Sequence, residues 1–427
     1  MTHIVIRKSE HLEGEVSAPP SKAYTHRAVI AALLSKGSST ISTPLISDDT
    51  LATLHVAKAF GAKIKMRKEL CTIRGVELPI TPARQLDCGE SGATFRFMIP
   101  VAALAFGSSN LIFRPSLEKR PIEPLLKSLK QLGVESSVRP KEGNSCVKIA
   151  GGGIKGGKTS IRGDITSQFI SGLLLACPKA RKDTEIAVTT NLESRSYVQM
   201  TIDVLSKHGI RVFTSPDFRN LKIPSDQDYR PYDHEVSGDF SSAAFLMAAA
   251  AITSSKLKVK NLKYCSIDGN KAIVDILKKM GSKIRVEKDY IEVEGQQLSS
   301  INVDATDLPD LVPVVAAVAC YSKGTSRICN AKRLRYKESD RLSSIHTELK
   351  RMGARISIWK DDLIIHGPCA MRGAIIDPHN DHRIVMSCAV AALGASSKTI
   401  IQNSRCVDKS YPWFFDDLSS LGGNIVG

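Results

Sequence analysis

A glycine that closes an amphipathic helix and opens a short alternating strand recurs six times along the 427 residues. It stands at Gly61, Gly133, Gly209, Gly281, Gly353 and Gly422, about 70 residues apart, before runs such as Ala62-Lys63-Ile64, Ile210-Arg211-Val212 and Ala354-Arg355-Ile356. A period of that length signals a duplicated supersecondary unit. Glycine suits the position because it adopts the left-handed backbone that ends a helix without steric penalty. The helix before Gly353 carries the clearest pattern, with Leu342, Ile345, Leu349 and Met352 on one face. Each unit also contains a second, more apolar helix, predicted over Ser21–Leu34, Ser91–Ala105, Ser167–Ala176, Ser241–Ile252, Asp310–Cys320 and Asp381–Leu393. These segments are apolar nearly all round, which predicts burial among sheets. Short β-rich runs follow them, among them Asn110–Phe113, Glu185–Val188 and Lys398–Ile401. Six β-α-β-α-β-β units predict an α/β fold of two domains with three units each. Pro19-Pro20 and the stretch Asp226–Asp233 are the candidate boundaries, and residues 1–18 fit either half on the residues alone.

Charge narrows the partners. Lys and Arg number 59 against 43 Asp and Glu, a net charge of +16, which favours acidic partners. The basic residues spread along the chain without forming a tail, and aromatic residues make up only 5% and do not interleave with them. Both features argue against a nucleic-acid-binding protein. The ten cysteines form no CxxC pair and the histidines lack ligand spacing, so no metal or other cofactor is expected. The N-terminus has no apolar signal core, and the longest apolar run, Ala243–Ile252, is too short to span a bilayer. A cytoplasmic protein without membrane contact is expected.

The starts of the apolar helices hold the chemistry. They carry small capping residues followed closely by cations, as in Ser21-Lys22 with Arg27, Ser91-Gly92 with Arg96, and Asp381-His382-Arg383; Thr166-Ser167-Gln168, Ser241-Ser242 and Asp310 open the others. Capping explains the hydroxyls and carboxylates. It does not explain Lys22, Arg27, Arg96 or Arg383, because cations in a first turn oppose the helix dipole. A bound anion would resolve the conflict. If the repeats fold alike, these helix starts converge on one basic cleft. One other motif competes: Gly152 to Thr159 matches the phosphate-loop pattern G-x-x-x-x-G-K-T. That motif needs a helix immediately after it, whereas residues 159–164 look extended, so a hairpin connection is expected instead.

Motifs in a fixed order then carry a resemblance over essentially the whole chain. Pro20–Ala28, Gly89–Arg96, Lys119-Arg120-Pro121-Ile122, Thr166-Ser167-Gln168, Ser194–Tyr197, Leu308-Pro309-Asp310, Arg335–Arg341 and Asp381-His382-Arg383 together resemble the 5-enolpyruvylshikimate-3-phosphate synthases. The resemblance implies a two-domain inside-out α/β barrel, with residues 1–19 and 235–427 in a discontinuous domain, 20–234 inserted, and the active site in the cleft between them. It implies a monomeric enzyme that transfers enolpyruvyl from phosphoenolpyruvate to the 5-hydroxyl of shikimate 3-phosphate and releases phosphate. By matched position, Lys22, Arg27, Thr166, Ser167, Gln168, Ser194, Tyr197, Asp310 and Lys337 would hold shikimate 3-phosphate, with Arg27 on its carboxylate. Lys22, Gly92, Arg96, Arg120, Gln168, Arg341, Arg383 and Lys409 would surround phosphoenolpyruvate.

Glu338 is the implied acid for the methylene carbon, and Asp310 the base on the 5-hydroxyl with help from Lys22. Two carboxylates in different surroundings can take opposite proton roles. The plainer readings are that Asp310 caps its helix and Glu338 pairs with Arg341 three residues on. The chain departs from the family pattern at Ala23, where a serine is usual, at Ala93, where a threonine is usual, and at Glu90, often asparagine. Two enzyme rivals are a transferase acting on UDP-N-acetylglucosamine, whose loop cysteine has no counterpart around Lys119-Arg120-Pro121, and an ATP-dependent kinase using the glycine tract.

Overall fold

The computed structural model describes residues 3–139 and 145–427; Met1 and Thr2, included in the expected first domain, lie outside them. All six repeat glycines adopt the left-handed backbone, with φ of 105° at Gly61, 82° at Gly133, 80° at Gly209, 112° at Gly281, 94° at Gly353 and 98° at Gly422. A side chain there would meet the steric penalty that glycine lacks, so each helix stops and the chain turns into its strand.

Six four-stranded sheets result, one per unit. In the third, Gly157–Ile161 runs parallel to Thr184–Val188, which pairs antiparallel with Asn220–Ile223, itself paired with Phe213–Thr214. The glycine tract before Gly157 therefore leads into a strand, as expected. It joins strands of two different sheets, however, so it is not a hairpin. The helix that a phosphate loop requires starts only at Ser167.

The chain divides into two compact units, one formed by the segment up to Pro20 with Ser237–Gly427, the other by Ser21–Val236. Two strand exchanges accompany this division. Glu13–Ser17 pairs parallel with Lys256–Lys260 in the first unit, and His234–Glu235 pairs parallel with Ser38–Ser42 in the second. His3–Ile6 inserts between Thr399–Gln402 and Ile425–Val426. Each unit has its own apolar core. The predicted apolar helices lie inside these cores: in Phe240–Ile252 every residue up to Ala251 is buried, and in His382–Leu393 all are. Each Leu, Ile or Phe so enclosed contributes roughly 1.5–3 kcal/mol.

A buried polar chain fastens His234–Glu235 to its unit. His208 Nε2 lies 2.9 Å from His234 Nε2, His208 Nδ1 lies 2.7 Å from the Arg230 carbonyl, and His234 Nδ1 lies 3.0 Å from the Tyr24 hydroxyl. Lys207 Nζ donates to that hydroxyl at 3.0 Å and to Asp203 at 2.7 Å. Burial pushes His208 down to about 4; burial, with His208 and Lys207 nearby, pushes His234 down to about 3. Both imidazoles are thus neutral when folded and gain protons near pH 6.5 when unfolded. Their stabilisation is complete above about pH 6.5 and declines as pH falls towards the folded values. Moving from pH 7.5 to pH 5 should cost about 2 kcal/mol per imidazole in urea unfolding. His234→Gln should shrink that loss; an unchanged pH slope would remove this pair as its source.

Candidate active site

In the unit Ser21–Val236, three apolar helices present their starts. Ser21 accepts from Tyr24 N at 3.3 Å, Ser91 from Thr94 N at 3.2 Å, and Thr166 from Gln168 N at 3.2 Å, so the predicted caps are present. Gly92 opens its helix between two guanidinium groups: a Cβ built there would lie 2.8 Å from Arg120 Nη1 and 3.1 Å from Arg96 Nη1. Arg96 Nη1 also donates to Gln168 Oε1 at 2.7 Å. Four predicted residues, Gly92, Arg96, Arg120 and Gln168, therefore surround one helix N-terminus. The helix N-terminus and two guanidinium groups form a cradle for a phosphate or carboxylate.

Lys22 Nζ donates to Asp49 Oδ2 at 2.8 Å, with both side chains largely enclosed. Asp49, in the first turn of the helix Asp48–Ala59, is a residue that the sequence analysis did not single out. Behind it a hydroxyl chain joins three helices: Thr94 Oγ1 lies 2.7 Å from Ser91 Oγ and 2.6 Å from Thr53 Oγ1, which lies 2.7 Å from His26 Nδ1. Arg27 is buried and directed inward. Its Nε donates to Thr201 Oγ1 at 2.7 Å, Nη1 to the Ala23 carbonyl at 2.7 Å, and Nη2 to the Tyr197 carbonyl at 3.0 Å and Ser171 Oγ at 3.3 Å. Guanidinium has five N–H donors, so at most one is left for a ligand. Burial lowers Arg27 to about 10, which still leaves it charged at neutral pH. Ser194, fully buried, sits at φ 55° ahead of the helix Arg195–Lys207. This left-handed conformation is uncommon outside glycine. It precedes the turn carrying Tyr197, whose ring lies 5.8 Å from the Arg27 guanidinium carbon.

In the other unit, the predicted residues gather around Asp310. The sequence expectation had Asp310 open its helix as a possible cap. The helix instead runs Val312–Ala319 with Leu311 at the cap position, and the Asp310 carboxylate turns to cations. Its Oδ1 lies 3.0 Å from Arg341 Nη1, 3.3 Å from Arg383 Nε and 3.4 Å from Lys337 Nζ. Burial alone would raise the Asp310 carboxyl, but Lys337, Arg383 and Arg341 outweigh it and hold the group well below the usual carboxylate range. Burial lowers Lys337 to about 8 despite Asp310.

Arg341, only 1% exposed, also binds Asp381 Oδ2 through Nε at 2.9 Å and Asp381 Oδ1 through Nη2 at 3.2 Å. Its Nη2 donates to Glu338 as well, the pairing expected at i+3. Arg383 Nη2 donates to Ser241 Oγ at 2.8 Å, and Lys409 Nζ donates to the Asn380 carbonyl at 2.7 Å. Ser241 does not cap its helix as the predicted start implied; Asp239 does, accepting from Ser241 N at 2.8 Å and Ser242 N at 3.2 Å. Sequence reading also missed Arg333, a buried cation whose charge adds to the lowering of Lys337. Within this unit Lys337, Arg341 and Arg383 face Asp310, Glu338 and Asp381, so this part of the expected basic cleft is a balanced ion network.

The fold and these two residue sets define an α/β enzyme built to handle anions, and comparison with known proteins gives the family. The EPSP synthase (3-phosphoshikimate 1-carboxyvinyltransferase) family profile matches residues 6–418. The chain belongs to this family of transferases, and the expected family is borne out. The 3-phosphoshikimate 1-carboxyvinyltransferase of Methanocaldococcus jannaschii is 41% identical over 99% of both chains. That of Methanococcoides burtonii is 44% identical over 97% of both. An EPSP synthase structure from Acinetobacter baumannii matches with a TM-score of 0.83 at 26% identity, covering 99% of each chain. The inside-out α/β barrel is the fold shared with it. The enolpyruvyl transferase NikO from Streptomyces tendae matches with a TM-score of 0.78 at 18% identity, a likeness of fold.

Proposed function

We propose that this chain transfers the enolpyruvyl group of phosphoenolpyruvate to the 5-hydroxyl of shikimate 3-phosphate, releasing inorganic phosphate, as a monomer in the cytoplasm. In this reading the two units are its two domains, and catalysis takes place in the cleft where their residue sets face the same substrates. The observation that carries it is the anion cradle at Gly92 in one unit, matched in the other by two carboxylates, Asp310 and Glu338, sharing one buried guanidinium.

Each substrate is an anion, so bringing both together requires compensating cations. Gly92, Arg96, Arg120 and Lys22 receive the phosphate of phosphoenolpyruvate, with Gln168 beside them. Arg341, Arg383 and Lys409 receive its carboxylate end. Thr166, Ser167 and Ser194 hold the shikimate phosphate, the remaining Arg27 donor its carboxylate, and Tyr197, Asp310 and Lys337 its ring. Arg341 is already committed to Asp310, Asp381 and Glu338. An arriving carboxylate competes with Glu338 for Nη2; Glu338, freed from the guanidinium, takes a proton from solvent and carries it to the methylene carbon.

Glu338 then protonates that carbon while the 5-hydroxyl oxygen attacks the adjacent one. Asp310 takes the hydroxyl proton, aided by Lys22, and a tetrahedral ketal forms. Return of a methyl proton to Glu338 and departure of phosphate, which takes up the proton held by Asp310, restore the double bond and the Asp310 carboxylate. Asp310 is anionic at neutral pH because three cations surround it, so it can accept a proton without first losing one.

The direct test gives the purified chain both substrates and follows phosphate release and the enolpyruvyl ether by NMR. UDP-N-acetylglucosamine serves as the alternative acceptor. Turnover with that acceptor alone, or with neither, would reject the reading. The cradle has its own test in Gly92→Ala, whose methyl group would displace Arg120 and Arg96. Loss of a charge-assisted hydrogen bond, roughly 1.5–3 kcal/mol, should raise the KM for phosphoenolpyruvate about tenfold or more. Shikimate 3-phosphate affinity should stay within about twofold; an unchanged KM would move the phosphate site away from Gly92.

A further inference from the structure

The unit that carries Asp310 also holds two thiols placed side by side, away from any role in the reaction. Cys320 follows the helix Val312–Ala319, whose opposite end adjoins Asp310. Cys369 follows the strand Asp362–Gly367. The Cys369 amide donates to the Cys320 carbonyl at 2.7 Å. That bond cannot hold the two Cα atoms more than about 7 Å apart, close to the range a disulfide accepts. The Cys320 thiol is fully buried and donates to the Ala316 carbonyl at 3.3 Å. Cys369 is half-buried, between the exposed Pro368 and Ala370, and its sulfur accepts from the Arg355 amide at 3.3 Å. The His366 carbonyl, also 3.3 Å away, accepts from this sulfur when it is protonated.

We propose that Cys369 and Cys320 form a peroxide-reactive dithiol, Cys369 attacking and Cys320 resolving. The two differ in the way this requires. The neighbouring Cys320 thiol, against an opposing effect of burial, and the donors of Arg355 bring the Cys369 thiol down to about 6. The neighbouring Cys369 sulfur, then burial, push Cys320 well above the ordinary thiol range. At neutral pH one sulfur is therefore a thiolate open to a small oxidant and its neighbour a protected thiol.

The Cys369 thiolate attacks one oxygen of hydrogen peroxide. The O–O bond breaks, the leaving hydroxide takes a proton to become water, and Cys369 becomes a sulfenic acid. Cys320 sulfur then attacks the Cys369 sulfur, an S–S bond replaces the S–O bond, and the Cys320 proton leaves with the departing hydroxide as a second water. Two thiols lose two electrons in total, and the peroxide gains them. Because the backbones are already hydrogen-bonded, closing the bridge requires the Cys320 thiol to leave the Ala316 carbonyl and turn to Cys369.

The test uses the full chain, reduced and freed of reductant, at pH 7 with less than one equivalent of hydrogen peroxide. Each cysteine is then quantified by non-reducing peptide mapping with a sulfenic-acid trap. Cys369 should oxidise about tenfold faster than the exposed Cys265, and its principal product should be a Cys320–Cys369 linked peptide. Cys320→Ala should replace that peptide with trapped sulfenic acid at Cys369. Cys369→Ser should leave Cys320 reduced and turnover unchanged. Faster oxidation of Cys265, or wild-type Cys369 ending as trapped sulfenic acid without linkage, overturns the proposal. Both of those readings come from the wild-type chain and do not depend on either variant folding.

Discussion

Glu338→Gln is expected to lower kcat by about 10²–10⁴-fold while leaving the affinity for shikimate 3-phosphate within about twofold. Glutamine keeps the size of the side chain and can still accept from Arg341 through its amide oxygen. It has no acidic proton to give a carbon atom. The prediction rests on the position of Glu338, whose carboxylate shares the buried Arg341 guanidinium with Asp310 and Asp381. Phosphate release measured alongside calorimetric binding of shikimate 3-phosphate separates the outcomes. A turnover number near wild type would take Glu338 out of the proton transfer. A parallel loss of shikimate 3-phosphate binding would show that Glu338 supports the site instead of acting in it.

Arg341→Ala should cost the unit containing Asp310 about 3–5 kcal/mol of stability, as well as its activity. The reason is what the substitution leaves behind. Asp381 is completely buried and Asp310 nearly so, and Arg341 is the cation that joins them. Removing it leaves buried carboxylates to be neutralised by protonation or reached by water. Arg341→Lys keeps a charge but not the planar fork that binds three carboxylates, so an intermediate loss is expected. The Asp310 share of this stability is present above its ordinary value near pH 4 and is lost as pH falls through its depressed folded value. Urea unfolding of the three proteins reads the effect. A loss below about 1 kcal/mol for Arg341→Ala would mean that the network is solvated and not a buried assembly.

Much of this fold was legible because it is built from local rules applied six times. The left-handed glycines, the apolar helices and the caps at Ser21, Ser91, Thr166 and Asp381 each involve residues within a few positions of one another. Such signals survive in a single sequence. The ordered motifs added the family, which the profile match over 6–418 shows. What failed was reading a polar residue near a helix start as its cap. Asp310 turns away from the helix to Lys337, Arg341 and Arg383, which lie 27, 31 and 73 residues further along the chain. Ser241 yields the cap to Asp239 and serves Arg383 instead. Asp49 escaped notice because its partner Lys22 lies 27 residues away, on the other helix of the same unit.

The residue order alone determined where helices end, which helices are buried and how many units the chain contains, since those outcomes depend on backbone sterics and apolar periodicity within short segments. Tertiary structure decided which charges meet. It turned Arg27 inward, aimed Arg96 and Arg120 at Gly92 and placed Arg341 among three carboxylates. Ion pairing depends on distance and burial, and both are set only when elements distant in sequence pack together.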